Sequence, residues 1–373
     1  MTKRGWLILL FVVAAAIVAL LIFARPTPEA ARSPEKLAVL TDLSAYTAEY
    51  GQQELAGLQL LQEDAAAARR PARRISLDVQ DTKGNPRDAL NGISQILSRP
   101  QRPLFVFSAL SSVSTAILPT ADRANLLTLS NATTDSILRV SPNAIRNFPS
   151  PEAEFSSLFE GAARPLQLRS LGLIYIDDEY GRAMAALFRA RAGAAAALTE
   201  GYGFELTDFR PIVAKAIASR ADGIIIVGYA SQAGSLIRQL RTGGYEGRIL
   251  VPSLIVNTDS VASAAGANLE GVIFNGFDYQ PTPEARRLLQ RFGSRYRGRQ
   301  SDIGILAYVG AGIVLDHARQ GRSPSEVIAQ LDRSQPFDTI LGSVAFRDRS
   351  FVYPLRLYEV RNRNVSPFDP ARR

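Results

Sequence analysis

Short apolar runs alternate with helical patterns between residues 171 and 229, and no other feature constrains the fold of this chain as strongly. Leu171–Ile176 has the apolar and β-branched composition of a strand. The alanine-rich segment 182–198 predicts a helix, and a second helical segment separates it from the apolar run 223–229. Strands that alternate with helices in this way indicate βαβ units and a parallel sheet.

Two tyrosines lie where strands of this predicted sheet end. Tyr180 belongs to Asp-Asp-Glu-Tyr-Gly, residues 177–181, and Tyr229 closes the last apolar run. Ligands of open α/β sheets bind beyond the carboxyl ends of the strands. A tyrosine there provides a flat apolar wall with a polar tip. We therefore expect both tyrosines at a binding site, whereas Asp177 and Asp178 are expected to favour the positive end of the next helix rather than to form an acid–base pair.

The same alternation extends over most of the chain. Further strands are predicted at 36–40, 75–79, 104–107, 126–129, 248–252 and 271–274, and further helices at 51–68, 87–98, 113–123, 282–298 and 303–319. Residues 148–150, Phe-Pro-Ser, predict a crossover into a second lobe. Near the C-terminus, 343–346 and 352–361 alternate apolar and polar residues, which predicts an antiparallel hairpin.

Composition excludes several classes of function. The chain has no cysteine and one histidine, His317, so disulfides, thiolate catalysis and His- or Cys-based metal sites are not expected. The net charge is +8, but the basic residues are scattered, and no basic stripe with stacking aromatics indicates nucleic-acid binding. Dinucleotide, Walker and nucleophile-elbow motifs are also missing from the sequence. We expect no enzymatic activity, no cofactor and no metal.

The N-terminus predicts a membrane segment. Lys3 and Arg4 precede an apolar run from Trp6 to Phe23, which is 18 residues long. This length approaches that of a bilayer span and exceeds the usual apolar core of a signal peptide, about 7–15 residues. We predict a retained inner-membrane anchor, with a cleaved signal and a soluble periplasmic protein as the alternative. Residues 25–34 are a proline- and alanine-rich linker, and the remainder is expected to be extracytoplasmic.

Several motifs occur in a characteristic order across residues 36–366. They lie at 36–40, 50–57, 77–81, 107–114, 129–134, 175–181, 207–209, 307–308 and 342–346. Examples are Leu-Ser-Asn-Ala-Thr-Thr at 129–134 and Tyr-Ile-Asp-Asp-Glu-Tyr-Gly at 175–181. In this order the chain resembles the Leu/Ile/Val-binding protein family, the type I periplasmic solute-binding proteins of ABC importers.

The resemblance implies a ligand cleft between two lobes, and it implies a role for each matching position. Ser112 corresponds to the serine that binds the ligand carboxylate together with backbone N–H groups. Ala132, Thr133 and Thr134 correspond to the loop that receives the α-amino and carboxylate groups. Tyr180 corresponds to the cleft tyrosine of the second lobe, and the resemblance places Tyr50 and Tyr229 beside the side-chain pocket. Hydroxyl and amide groups at strand ends and helix N-termini suit an anion.

One position departs from the family pattern. Where amino-acid-binding members place an acidic residue for the ligand ammonium, this chain has Ser253. A buried ammonium without a carboxylate partner is costly, so an amide, a urea-like solute or an amine-free carboxylate becomes as plausible as an amino acid. Asp259, a few residues later, is the alternative acidic partner.

The sequence thus predicts an α/β protein with two doubly wound parallel-sheet lobes joined by three crossovers, the type I periplasmic-binding-protein fold, preceded by an N-terminal transmembrane helix. The predicted parts are an anchor and linker at 1–35, a first lobe at 36–148 and 277–336, a second lobe at 149–276 and 337–366, and a tail at 367–373. The predicted function is binding of a small polar solute for an ABC permease. The alternative is a membrane-anchored sensor or scaffold with the same fold and a degenerate or different ligand site.

Overall fold

The structure of the chain, a computed structural model, describes residues 34–67, 74–252, 259–296, 302–318 and 321–371. The predicted anchor, Trp6–Phe23, lies outside these residues. Among the helices in the described ranges, none has both the length and the apolar character that a bilayer span requires.

The strands and helices follow the alternation that the sequence predicts. The strands are β1 (Glu35–Thr41), β2 (Ile75–Asp81), β3 (Pro103–Ala109), β4 (Thr128–Asn131), β5 (Ala144–Arg146), β6 (Leu171–Ile176), β7 (Ala196–Tyr202), β8 (Gly223–Val227), β9 (Arg248–Val251), β10 (Val272–Phe277), β11 (Phe337–Thr339), β12 (Gly342–Arg347), β13 (Ser350–Val352), β14 (Leu355–Arg361) and β15 (Asn364–Pro367). The α-helices are α1 (Ala48–Ala67), α2 (Pro86–Leu97), α3 (Ser111–Arg123), α4 (Ser136–Val140), α5 (Pro151–Leu158), α6 (Glu179–Ala192), α7 (Arg210–Ala218), α8 (Ala230–Thr242), α9 (Asp259–Ala265), α10 (Pro283–Arg295), α11 (Asp302–His317) and α12 (Pro324–Ser334).

These strands form two mixed sheets, one in each lobe. The first sheet has the order β11-β12-β13-β5-β4-β3-β1-β2, and the second has the order β15-β14-β10-β9-β8-β6-β7. Neighbouring strands from β2 to β5 and from β7 to β10 are parallel. Antiparallel strands extend one edge of each sheet. The two α/β lobes are confirmed, and their predicted parallel sheets are parallel in the central part, while the C-terminal strands add antiparallel pairs.

Each sheet is covered by helices on both faces, because its central strands are apolar on both sides. In β1, Leu37 and Val39 pack with α1, α10 and α11, whereas Ala38 and Leu40 pack with α2 and α3. The strands of the second sheet divide in the same way between a core with α7, α8 and α9 and a core with α5 and α6. Continuous apolar runs of this kind are typical of strands buried on both faces.

The chain passes between the two sheets three times, after β5, after β10 and after β13. The third passage lies later than the sequence predicts. The sequence predicts that residues 337–366 belong to the second lobe, but β11, β12 and β13 pair in the first sheet and only β14 and β15 join the second. Pro354 stands between β13 and β14 and has no N–H for a strand ladder, so pairing stops there. The predicted strand 352–361 is therefore divided between the lobes.

The alanine-rich segment 182–198 is also not one continuous helix. Helix α6 ends at Ala192, Gly193 adopts a positive φ of 52°, and Ala196–Tyr202 forms β7. The strand β7 pairs in parallel with β6 along its length. Tertiary pairing therefore overrides the helical preference of Ala196 and Ala197, since propensity is only a weak determinant of structure.

Candidate functional site

A cavity of about 90 Å³ lies between the two lobes, at the carboxyl ends of their strands. The strand order of the first sheet reverses between β1 and β3, and that of the second sheet reverses between β6 and β8. Residues that follow all four strands line the cavity, among them Asp42, Ser111, Tyr180 and Tyr229. Ligands of open α/β sheets bind at such switch points, and here two of them share one cavity.

Tyr50 connects the lobes at this cavity. It lies on α1 of the first lobe, and its hydroxyl oxygen accepts a hydrogen bond of 2.7 Å from the backbone N–H of Ala230, the first residue of α8 in the second lobe. The first N–H groups of a helix have no acceptor within the helix, and Tyr229 at the N-cap provides none through its side chain. The hydroxyl of Tyr50 therefore caps a helix of the opposite lobe, and burial raises its pKa so that it stays protonated.

Tyr180 and Tyr229 line the cavity from the second lobe, and each donates its hydroxyl to a carboxyl group of that lobe. Tyr180 donates to Oε2 of Glu154 over 2.7 Å, and Tyr229 donates to Oδ2 of Asp178 over 2.7 Å. Burial and these neighbouring carboxyl groups raise the pKa of both tyrosines well above the ordinary value. The other oxygen of Asp178 accepts from the backbone N–H of Gly181 and caps α6, as the sequence predicts.

Aromatic rings from both lobes pack together beside the cavity, and two of them, Tyr50 and Tyr229, line it. The ring centroids of Tyr50 and Tyr229 are 6.1 Å apart, and Phe204 stacks on Tyr229 at 5.5 Å. Tyr46 of the first lobe lies 6.2 Å from Phe204, and its hydroxyl donates to Glu205. Aromatic pairs at such distances contribute about 0.5–1.5 kcal/mol each beyond their buried area. This aromatic cluster is thus shared by the lobes and holds them close to each other.

The serine next to the predicted one lines the cavity. Ser111 lies at the cavity, with its hydroxyl 3.3 Å from that of Thr133, whereas Ser112 is exposed and is not part of the lining. Leu110 before it has a φ of 67° and gives α3 no side-chain cap. On a helix, neighbouring positions point in directions about 100° apart, so the pair of serines alone does not reveal which one faces the cavity.

The loop 132–134 is divided between the cavity and the interface of the lobes. Ala132 and Thr133 line the cavity. Thr134 is buried but does not line it, and its hydroxyl lies 3.3 Å from Oε1 of Glu179 in the second lobe. The hydroxyl of Ser136 donates to the same carboxyl oxygen. Thr134 therefore bridges the lobes.

Two acidic residues of the cavity were not predicted. Glu54 is 3% exposed, and its oxygens accept hydrogen bonds from Oγ1 of Thr41 at 2.6 Å and Nδ2 of Asn131 at 3.0 Å. The pKa of Glu54 is raised to about 7, mainly by burial and to a lesser extent by the nearby Asp42, although its two hydrogen bonds act in the opposite direction. The signal that could have found Glu54 is its spacing of four residues from Tyr50, which places both on one helix face.

Asp42 has a different environment, because its carboxylate is held by a turn. One oxygen accepts from the N–H groups of Ser44 and Ala45, and the other accepts from the N–H and hydroxyl of Thr47. Within the described parts of the chain, no three potential metal-ligating side chains converge into a site. Ser253, which stands at the position of the family's acidic residue, and the side chain of Asp259, the alternative acidic partner, lie outside what the structure describes.

Comparison with known proteins gives a consistent result. A family model described as periplasmic binding protein matches residues 34–364. An amino acid binding protein of Pseudomonas aeruginosa is 28% identical over 186 residues, which are 48% of this chain and 49% of that protein. A Leu/Ile/Val-binding protein homolog of Brucella abortus is 28% identical over 153 residues, 40% of each chain. The chain thus matches half or less of the length of these curated relatives.

Solved structures share the fold. A branched-chain amino acid transporter substrate binding protein from Streptococcus pneumoniae, in complex with isoleucine, aligns with a TM-score of 0.80 at 21% identity, covering 89% of this chain and 98% of that one. A solute binding protein of an ABC transporter from R. palustris, in complex with 4-hydroxybenzoate, aligns with a TM-score of 0.79 at 17% identity, covering 90% and 96%. At these identities the likeness concerns the fold.

Proposed function

The chain belongs to the periplasmic binding protein family, and we propose that it binds a small polar solute between its lobes, outside the cytoplasm, for the permease of an ABC importer. The observation that carries this proposal is the shared cavity, which the switch points of both sheets line together. A solute held there touches both lobes at once. Its binding energy therefore favours the closed arrangement, which is the form a permease can distinguish.

The polar and apolar linings suit different parts of one solute. Ser111, Thr133 and the uncapped N-terminus of α3 offer hydroxyl and N–H groups to a carboxylate. Tyr50 and Tyr229 offer aromatic surface to an apolar side chain. We assign the role predicted for Ser112 to Ser111, and we assign to Ala132, Thr133 and Tyr180 a direct place beside the solute. Thr134 acts by holding the lobes together.

The relatives favour two ligand classes, branched-chain amino acids and aromatic acids. Both combine a carboxylate with an apolar group, as the two linings require. Retention at the membrane by Trp6–Phe23 is part of the proposal and rests on the sequence pattern alone.

A thermal-shift screen of the purified full-length chain tests this function. The panel contains branched-chain amino acids, hydroxybenzoates, small amides and urea. We expect one class to raise the melting temperature, and we expect Ser111→Ala combined with Thr133→Ala to abolish the shift. Ser325→Ala, on the exposed first turn of α12, is the matched control. If no solute stabilises the chain, the sensor or scaffold function replaces this one.

A further inference from the structure

Glu54 faces the cavity from the first lobe. It is on α1, one turn after Tyr50, and it lines the cavity together with both of its hydrogen-bond donors, Thr41 and Asn131. Only 3% of the residue is exposed. Carboxyl groups are rarely buried to this degree without a charged partner. The structure provides this one with two neutral donors.

A chain of hydrogen bonds fixes the position of this carboxyl group. The Oδ1 atom of Asn131 accepts from Nδ2 of Asn147 at 2.6 Å, and Oδ1 of Asn147 accepts from the hydroxyl of Tyr353 at 2.7 Å. Asn147 also donates to the carbonyl of Leu306 in α11. The network connects Glu54 to β4, to α11 and to the third passage of the chain between the two sheets. The carboxyl group is therefore held in one geometry before any solute arrives, as a specific binding group requires.

The charge at the cavity is one-sided. Its described lining contains two acidic residues, Asp42 and Glu54, and no lysine, arginine or histidine. The carboxylate of Asp42 is compensated by N–H groups of its own turn. Glu54 has no such compensation among its two partners. Each of its oxygens accepts one hydrogen bond there, and a carboxylate oxygen can accept two.

We propose that Glu54 receives a protonated amine of the solute and so restricts the ligands to small ammonium-bearing compounds. This inference rests on the proposed function and names its ligand class. Glu54 then pairs with the ligand ammonium, which is the role that amino-acid-binding members give to an acidic residue at the position of Ser253. The N-terminus of α3, beside Ser111, is left for a carboxylate, and a zwitterionic amino acid satisfies both sites.

The protonation of Glu54 provides a second readout. Its pKa of about 7 means that much of the group is protonated near neutral pH in the free protein. An ammonium beside it favours the carboxylate and lowers the pKa, so binding releases a proton near pH 7. The other titratable groups that line the cavity are Asp42 from the first lobe, Tyr50 on α1, and Tyr180 and Tyr229 from the second lobe. The pKa of each of these three tyrosines is raised, so none of them titrates in this range.

Isothermal titration of the full-length chain with matched pairs of probes tests the inference. The pairs are leucine with 4-methylpentanoate, and 4-(aminomethyl)benzoate with 4-methylbenzoate, which differ in the amine. We expect the amine-bearing member of at least one pair to bind about tenfold or more tightly than its partner. Glu54→Gln preserves the shape of the side chain: its Oε1 can accept from Nδ2 of Asn131, and its Nε2 can donate to the hydroxyl of Thr41, which then acts as the acceptor. We expect this variant to lose the amine preference and the proton release. Titration in buffers of different ionisation enthalpy measures the released proton.

Glu63→Gln is the matched control, because it removes one negative charge from the same helix at an exposed ion pair with Arg295. It should leave the preference unchanged. Tighter or equal binding of the amine-free members overturns the inference while the proposed function stands. An unchanged amine preference in Glu54→Gln also overturns it. If none of the four probes binds, the proposed function is contradicted for both ligand classes, and the inference fails with it.

Discussion

The hydroxyl of Tyr50 in the first lobe accepts a hydrogen bond of 2.7 Å from the backbone N–H of Ala230 in the second lobe. This contact joins α1 to the first turn of α8 beside the cavity, where the ring of Tyr50 also lies 6.1 Å from that of Tyr229. The closed arrangement therefore depends on a side chain that also lines the proposed binding site. Solute binding and lobe closure are coupled through Tyr50 in this account.

Replacing Tyr50 with phenylalanine tests this coupling. The variant leaves the N–H of Ala230 without its acceptor in the closed form, but it keeps the aromatic ring beside Tyr229. We expect a loss of about 1–2 kcal/mol in binding free energy, which is roughly 5- to 30-fold in Kd. Titration calorimetry with the solute found by screening measures it. Tyr308→Phe is the control, since that hydroxyl donates to Asp64 within the first lobe. Equal affinity of the Tyr50 variant and the wild type would show that the contact does not contribute to closure.

The stability of the free protein should depend on pH through Glu54. The pKa of this group is about 7 in the folded chain, raised from 4.5 mainly by burial. As the pH rises from 4.5 to about 7, the unfolded chain loses its proton before the folded chain does, so the folded state loses stability relative to the unfolded state. The full effect is about 3 kcal/mol, present below the interval and lost above it.

Glu54→Gln does not titrate and should escape this loss. We therefore expect the variant to gain stability relative to the wild type as the pH is raised from 5 to 8. Urea unfolding of both proteins at several pH values measures the difference, and the comparison cancels the other titrating groups. A difference that stays constant over this range would mean that Glu54 ionises at its ordinary pKa.

The packing of α1 against α11 gives a prediction about the fold. A Cβ added at Gly57 would lie 2.0 Å from the carbonyl oxygen of Gly304, so the two helices approach too closely for any side chain at this point. We expect Gly57→Ala to destabilise the chain by about 1–3 kcal/mol, measured by urea unfolding. Gly312→Ala on α11 is the control, since its Cβ would meet Leu61 at 3.5 Å. That variant should be neutral or more stable by up to about 1 kcal/mol. Similar losses in both variants would contradict the close approach.

The sequence predicts the fold well where strands are buried on both faces. β1, β6 and β8 follow continuous apolar runs, and the structure has each strand within two residues of its predicted end. The prediction is weaker where pairing with a neighbouring strand determines whether a strand forms and which sheet it joins. The register of β7 is set by its pairing with β6, and β13 joins the first sheet by pairing with β5. The local composition of these segments encodes neither pairing. Local patterns define the strands but not the partners of edge strands.

The candidate site shows a similar limit. Tyr50, Tyr180 and Tyr229 could be found because strand ends and family motifs mark them. Ser111 could not be separated from Ser112 by sequence, because one step along a helix changes the direction of the side chain. Glu54 was missed because its burial depends on contacts with Thr41 and Asn131, which come from distant parts of the chain.

The most direct test of the account is titration calorimetry on the full-length chain with the stabilising solute from the screen, comparing the wild type with the variant that combines Ser111→Ala and Thr133→Ala. We predict that one solute binds per chain, that the double variant loses affinity by about tenfold or more, and that Ser325→Ala binds like the wild type. Binding with the same affinity in the double variant would place the solute elsewhere and contradict the account.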